Sequence, residues 1–380
     1  PVPIIIDTDL AADDIGAILY LLKHPRISVR AITVSCGETY VEPGVINMLR
    51  LLDNLGIRGI PVAAGKDTPL YTNHTFPAEW REMSTDFYGL DLPLTDLQPS
   101  EMSAAELIIS IINTSTENIT LITLGPLTNI AMALQSEPSI EDRIERIVIM
   151  GGAVNVPGNV GFEYPEIQNY VTEWNMYIDP HAAYIVFKSG VPVMLVPLDA
   201  TNKVLQTEEF RIRLKNVMRT PEAHIVHRLI TPGLFFWDQL TAIALTDPTV
   251  VTLEMHCIEV VIDNENQTGW TKSIKEDQPN AQVAVNADAL KFEELFIKII
   301  NMAGTKVFAV TWAGETYYVK TFSYSTITNF NFSQLYRQIS FNVTGPPGTT
   351  SFCNVTIPKS LLNANATHPW QILPNGTDIT

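Results

Sequence analysis

The chain runs from an apolar triplet, Ile4-Ile5-Ile6, straight into Asp7-Thr8-Asp9-Leu10-Ala11-Ala12-Asp13-Asp14, which places four carboxylates within eight residues. The triplet reads as a buried strand, and the apolar periodicity from Asp13 to Lys23 reads as a helix, so the acids sit where a strand hands over to a helix. Four like charges this close repel and raise one another's pKa unless a positive charge lies among them. Hard oxygen donors suit calcium or magnesium. Asp7 and Asp9 lie two apart and point the same way at the strand end, while Asp13 and Asp14 open the helix. Carboxylates also suit a helix start, where the dipole is positive, so an acidic first turn with no ligand is the competing reading.

The alternation continues downstream. Val29 to Val34, Ile119 to Leu124, Ile147 to Met150 and Val193 to Val196 read as buried strands. Pro43 to Leu55, Ser103 to Asn113, Leu127 to Gln135 and Pro180 to Lys188 read as helices. Such a pattern predicts an α/β fold, a mostly parallel sheet flanked by helices on both faces, with ligands bound beyond the carboxyl ends of the strands. The four-Asp segment, Gly125-Pro126 and Gly151-Gly152 all fall at such ends. After a helix from Ala289 to Ala303 the character changes: residues 305–380 are rich in Thr, Ser, Asn and aromatics, alternate with period two, and carry a turn at Gly345-Pro346-Pro347-Gly348. We expect residues 1–304 to form the chemically active domain and residues 305–380 an all-β appendage suited to surface or assembly roles.

With 24 basic and 41 acidic residues the net charge is -17, which argues against binding a nucleic acid backbone, although a nucleoside carries no phosphate and is not excluded. No apolar run reaches the length of a membrane span. Cys36, Cys257 and Cys353 have no metal-type spacing. The chain starts at Pro1 without an initiator Met, and Asn-X-Ser/Thr triplets occur at Asn73, Asn113, Asn118, Asn266, Asn331, Asn342, Asn354, Asn365 and Asn375. Both features lead us to expect a processed, secreted, N-glycosylated surface protein.

Beyond the opening acids, five further motifs occur in order: Leu124-Gly125-Pro126-Leu127-Thr128-Asn129-Ile130-Ala131, Met150-Gly151-Gly152, Gly158-Asn159, Glu173-Trp174-Asn175 and Trp237-Asp238. Together with Asp-X-Asp-X-X-X-Asp-Asp after the first strand, they resemble the nucleoside hydrolases of the inosine-uridine-preferring superfamily over residues 1 to about 304. The resemblance implies hydrolysis of the N-glycosidic bond of a nucleoside. It makes Asp9, Asp14 and Asp238 side-chain ligands of a calcium ion, with Leu124 giving a backbone carbonyl. Asp9 would be the general base, and Asp7 would support this shell from behind. Asp13, Met150, Asn159, Glu173 and Asn175 would hold the ribose.

Many members of that superfamily carry a His just before the last metal-binding Asp; here Trp237 stands there. With Trp174, Trp80 and the acidic Glu38, this departure resembles the purine-specific branch, in which a flat base is sandwiched between indole rings. The resemblance makes all four base-binding residues and a homo-oligomer the default state.

Two other readings stay open. A surface or self-assembling protein reusing this fold fits the sequon-rich tail. A phosphatase of the haloacid dehalogenase type also ends its strand in Asp-X-Asp, but wants Thr or Val where Ala11 stands. His224 and His227 lie three apart on an expected helix and would reach the pocket mouth or solvent.

Overall fold

The computed structural model describes residues 1–275, 278–312, 314–334, 338–346, 352–358 and 361. The chain divides into two compact units, one of residues 1–218 and 222–301, the other of residues 219–221 and 302–380.

The larger unit is built on a nine-stranded sheet. Its strands are β1 (Val2–Thr8), β2 (Ile27–Val34), β3 (Val62–Ala64), β4 (Ile119–Thr123), β5 (Ile144–Met150), β6 (Val193–Val196), β7 (Val251–Val260), β8 (Thr271–Ile274) and β9 (Ala281–Ala287). In space they run β3-β2-β1-β4-β5-β6-β9-β7-β8. All neighbours up to β9 are parallel; β7 and β8 close the edge antiparallel. From β1 the chain winds outward through β2 and β3, then returns to place β4 on the other side of β1. The order therefore reverses between β1 and β4, and their carboxyl ends open a crevice.

Burial explains the strand composition. Ile4, Ile5 and Ile6 are wholly buried, as are Ile147, Val148 and Ile149, because helices cover both faces of the central strands. The helices start where local chemistry allows. Ser103 caps Ala104–Thr114 reciprocally with Glu106, and Asp179 accepts from the Ala182 amide to start Pro180–Lys188 with proline in its first turn. The strands and helices expected between residues 2 and 196 all occur, with ends shifted by a few residues. Strands β7 and β9 carry no such apolar run: Glu254 and Glu259 interrupt β7 on exposed positions and His256 on a half-buried one.

The smaller unit contains β10 (Gly304–Trp312), β11 (Glu315–Ser323) and β14 (Cys353–Thr356) in one antiparallel sheet. Strands β12 (Thr326–Ser333) and β13 (Gln338–Thr344) form a hairpin. Val310 of β10 and Val319 of β11 lie at the buried centre of this unit. Residues 347–348 of the expected Gly-Pro-Pro-Gly turn, Asn365 and Asn375 lie outside the described residues. Cys36 and Cys353 are free thiols.

Candidate active site

At the end of β1 the backbone turns so sharply that Leu10 takes a left-handed conformation, φ 57°. A branched apolar residue adopts it only where its surroundings hold it. They do: the Leu10 amide donates to Thr8 Oγ1 at 3.0 Å, and Ser84 Oγ donates to the Leu10 carbonyl at 2.9 Å. The turn delivers Asp9 into the crevice between two glycines. A Cβ on Gly37 would stand 2.2 Å from Asp9 Oδ2, and one on Gly125 would stand 2.9 Å from Asp9 Oδ1. Only glycine fits at either position, because the Asp9 carboxylate occupies the space a side chain would need. The Glu38 amide then fixes Asp9 Oδ2 at 2.8 Å.

Asp14 serves two ends at once. Its Oδ2 accepts from the Ala11 amide at 3.0 Å, capping the helix Ala12–Lys23, and Thr8 Oγ1 donates to its Oδ1. The helix-capping reading of the acidic turn is thus real for Asp14, and it still leaves lone pairs facing the pocket. Helix Ala12–Lys23 lies close against helix Trp237–Thr246 at Gly16, where a Cβ would be 2.7 Å from Gln239 Nε2. That close approach gathers Asp13, Asp14 and Asp238, whose carboxylate oxygens lie within 4.8 Å of one another. Asp238 sits in the first turn of its helix, where the dipole favours an anion, and its buried Oδ1 has no hydrogen-bond partner.

Asp7 stays behind the pocket. It is buried, accepts from Thr33 Oγ1 at 2.5 Å and Asn129 Nδ2 at 2.8 Å, and does not line the crevice.

Further along the crevice, Glu173 caps the short helix Trp174–Ile178. Its oxygens accept from the amides of Asn175 at 2.9 Å and Gly152 at 2.8 Å. Asn175 Nδ2 donates to the Leu124 carbonyl at 2.9 Å, beside the Met150 sulfur at 3.4 Å. Asn159 Oδ1 is buried without a partner. This leaves a ready acceptor in the pocket wall.

The aromatic lining comes from two separate clusters. Trp174 is buried, stacks on Phe76 with ring centres 5.3 Å apart, meets Trp80 edge-on at 5.5 Å, and donates its Nε1 hydrogen to Glu163 at 2.5 Å. Trp237 is half-buried and packs with Met150 and Leu198. Glu38 enters from the end of β2, its Oε1 accepting from the Tyr88 hydroxyl at 2.5 Å.

These side chains enclose about 480 Å³ including the open mouth, within the range of about 300–1,000 Å³ for small-molecule sites. Seven of the sixteen lining residues are acids and none is Lys, Arg or His, so nothing in the wall offsets the charge. Burial, then the charge of Asp14, pushes the Asp9 pKa well up, and Asp238 is pushed up by burial and the charge of Asp13. Asp13 is raised to about 7 by burial and Asp14, Glu38 to about 8 and Glu173 to about 7, both chiefly by burial. Crowded carboxylates, an all-oxygen donor set with the Leu124 carbonyl beside it, and the orphaned Asp238 Oδ1 fit a hard divalent cation.

The thirteen residues that the sequence assigns to metal, ribose or base binding all line this one crevice. The tightest carboxylate triplet contains Asp13 rather than Asp9. Sequence reasoning missed Ala11, Phe76 and Glu163. Ala11 lies inside the opening motif, but Phe76 and Glu163 sit outside any periodic segment, and nothing in their neighbourhood marks them. His224 and His227 are helical as expected, on Pro221–Leu229, and do not line the pocket.

Comparisons with known proteins identify the family. Residues 4–294 match the family described as inosine-uridine preferring nucleoside hydrolase. The chain is 33% identical over 310 residues to the pyrimidine-specific ribonucleoside hydrolase RihA of Escherichia coli O1:K1, covering 77% of this chain and 96% of that protein. Among solved structures, the purine-preferring ribonucleoside hydrolase of Gardnerella vaginalis superimposes with a TM-score of 0.69 at 28% identity, over 79% of this chain and 98% of its own. A plant nucleoside hydrolase, PpNRh1, gives a TM-score of 0.70 at 27% identity, over 79% and 99%.

Proposed function

The chain belongs to the inosine-uridine preferring nucleoside hydrolase family, and from that premise we propose that it cleaves purine ribonucleosides in a calcium-dependent reaction. Its reaction class is hydrolysis of the N-glycosidic bond of a ribonucleoside. The names of its relatives divide on the base, pyrimidine-specific in one and purine-preferring in another. The reading of the base rests on the pocket: three indoles, from Trp80, Trp174 and Trp237, share a wall with seven acids and no histidine. A two-ring base offers the larger face to stack, at about 1–3 kcal/mol per base.

Asp9, Asp14, Asp238 and the Leu124 carbonyl would hold the cation. When bound, calcium supplies the positive charge that the acids lack and makes nearby water easier to deprotonate. Asp9, held between Gly37 and Gly125, takes the proton from the attacking water. The water oxygen forms its bond to the anomeric carbon as the bond to the base nitrogen breaks, and that electron pair leaves with the base. Asp13, Asn159, Glu173 and Asn175 grip the ribose hydroxyls, and their negative charge or acceptor oxygens favour the positive sugar of the transition state. Met150 packs under the sugar, Trp80 and Trp237 stack the base, and Glu38 hydrogen-bonds its edge.

The test is release of base and ribose from inosine, guanosine, adenosine, uridine and cytidine, with calcium and after chelation. We expect kcat/KM for purines at least tenfold above that for uridine. Absence of any turnover sinks the proposal, preference for uridine removes the purine assignment, and full activity in chelator removes calcium.

We further propose that the protein is secreted and forms a homo-oligomer; cell fractionation and light scattering test these two points.

A further inference from the structure

The smaller unit carries a motif that the reaction does not use. With 54 Ser or Thr among 380 residues, 24 asparagines placed at random would form about three Asn-X-Ser/Thr triplets, yet the chain has nine. Seven of these lie among the described residues, and all seven asparagines are exposed.

Asn354 is the one with a distinctive setting. It lies on β14, at the edge of the sheet β10-β11-β14, directly opposite Phe322 of β11. Opposed residues on antiparallel strands project to the same face with Cβ atoms about 5 Å apart. Phe322 is 43% exposed and Phe352 36% exposed, and their rings meet at 5.4 Å. Phe352 also meets Tyr324 edge-on at 5.0 Å, whereas Phe322 is the more solvent-facing ring, and an exposed phenyl beside an edge strand invites aggregation unless something covers it.

We propose that Asn354 is N-glycosylated and that the first sugar packs its C–H face on Phe322 and Phe352. A sugar ring offers polarised C–H groups that suit an electron-rich aromatic face, while its hydroxyls stay in water. In the coupling step the Asn354 Nδ2 bonds to the anomeric carbon of an oligosaccharide carried as a lipid phosphate ester. The bond from that carbon to the phosphate oxygen breaks, the phosphate keeps the electron pair, and one amide proton passes to solvent. The proposal rests on secretion and not on the hydrolase reaction.

The experiment uses the full chain purified from its native cells, digested with chymotrypsin and read by mass spectrometry. Recovery of the Asn354 peptide with added sugar mass, lost in Asn354→Gln, supports the site; recovery of that peptide unmodified overturns it. For the packing, Asn354→Gln should lower Tm by several degrees, and the same substitution on a Phe322→Ser background should change Tm much less. Equal losses on both backgrounds overturn the aromatic contact. Nucleoside cleavage by Asn354→Gln should match the parent, so failure of the catalytic reading leaves this result intact.

Discussion

The Tyr88 hydroxyl donates to Glu38 Oε1 at 2.5 Å, and it does so from a backbone in which Phe87, Tyr88 and Gly89 all have positive φ. Three left-handed residues in a row are costly, and this segment is held by Arg228 Nη2, which donates to the Gly89 carbonyl at 2.8 Å. The strained segment fixes the direction of the Glu38 carboxyl group in the pocket. Tyr88→Phe removes a hydrogen bond to an acidic group, worth about 1.5–3 kcal/mol. We expect KM for purine nucleosides to rise roughly tenfold or more with a smaller change in kcat, and binding of free ribose to stay constant. Unchanged KM for every purine would show that Glu38 needs no positioning.

Asp9 is flanked so tightly that its neighbours are testable. Gly37→Ala forces a methyl into the carboxylate, and Asp9→Asn keeps the shape but removes the proposed base. Both should lower kcat by roughly 10²–10⁴ while the fold, read by circular dichroism, persists. A Gly37→Ala enzyme with parental kcat would mean that Asp9 is not held by this contact.

The pH response of stability has a defined sign. Asp7, Asp13 and Glu173 have folded pKa values raised to about 7 from 3.8, 3.8 and 4.5, each chiefly by burial. Between roughly pH 4 and 7 the folded state therefore holds protons that the unfolded chain has released, so these groups destabilise the fold as pH rises through that window. A bound cation offsets the exposed charge and competes with the same protons. The gain in Tm on adding calcium should grow from pH 5 to pH 7.5, as measured by thermal scans with and without chelator. A gain that is constant or shrinks with pH contradicts this assignment.

Trp237 stands where the resemblance leads one to look for a histidine, and it packs against Met150 and Leu198 in the pocket wall. Trp237→Ala should lower kcat/KM for inosine about tenfold or more, from ~1–3 kcal/mol of lost stacking, and leave uridine less affected. Equal losses for both bases would take Trp237 out of base selection.

The parallel sheet was legible because its strands are buried on both faces and so read as unbroken apolar runs, Ile4 to Ile6 and Ile147 to Met150 among them. Strand β7 was not, because four of its ten residues are exposed and Glu254, His256 and Glu259 break the run. The site was legible where chemistry is dense: acids that crowd a strand end, or Glu173-Trp174-Asn175, have few uses other than a polar site. Phe76 comes from a loop and Glu163 from the four-residue helix Val160–Glu163; both are placed by what they pack against, and no period in the sequence encodes that.

By itself the sequence determined that a carboxylate cluster would stand at the end of the first strand of a parallel α/β sheet, since strand, turn and helix signals are local. No local signal places Asp238, more than two hundred residues away, beside Asp13 and Asp14; only the family resemblance led us to expect it next to Asp14. That meeting depends on helix Ala12–Lys23 approaching helix Trp237–Thr246 at Gly16, where the absence of a side chain lets Gln239 come within contact. Local propensity fixes which residues face outward from each element; only close packing between elements distant in the chain fixes which of them face one another.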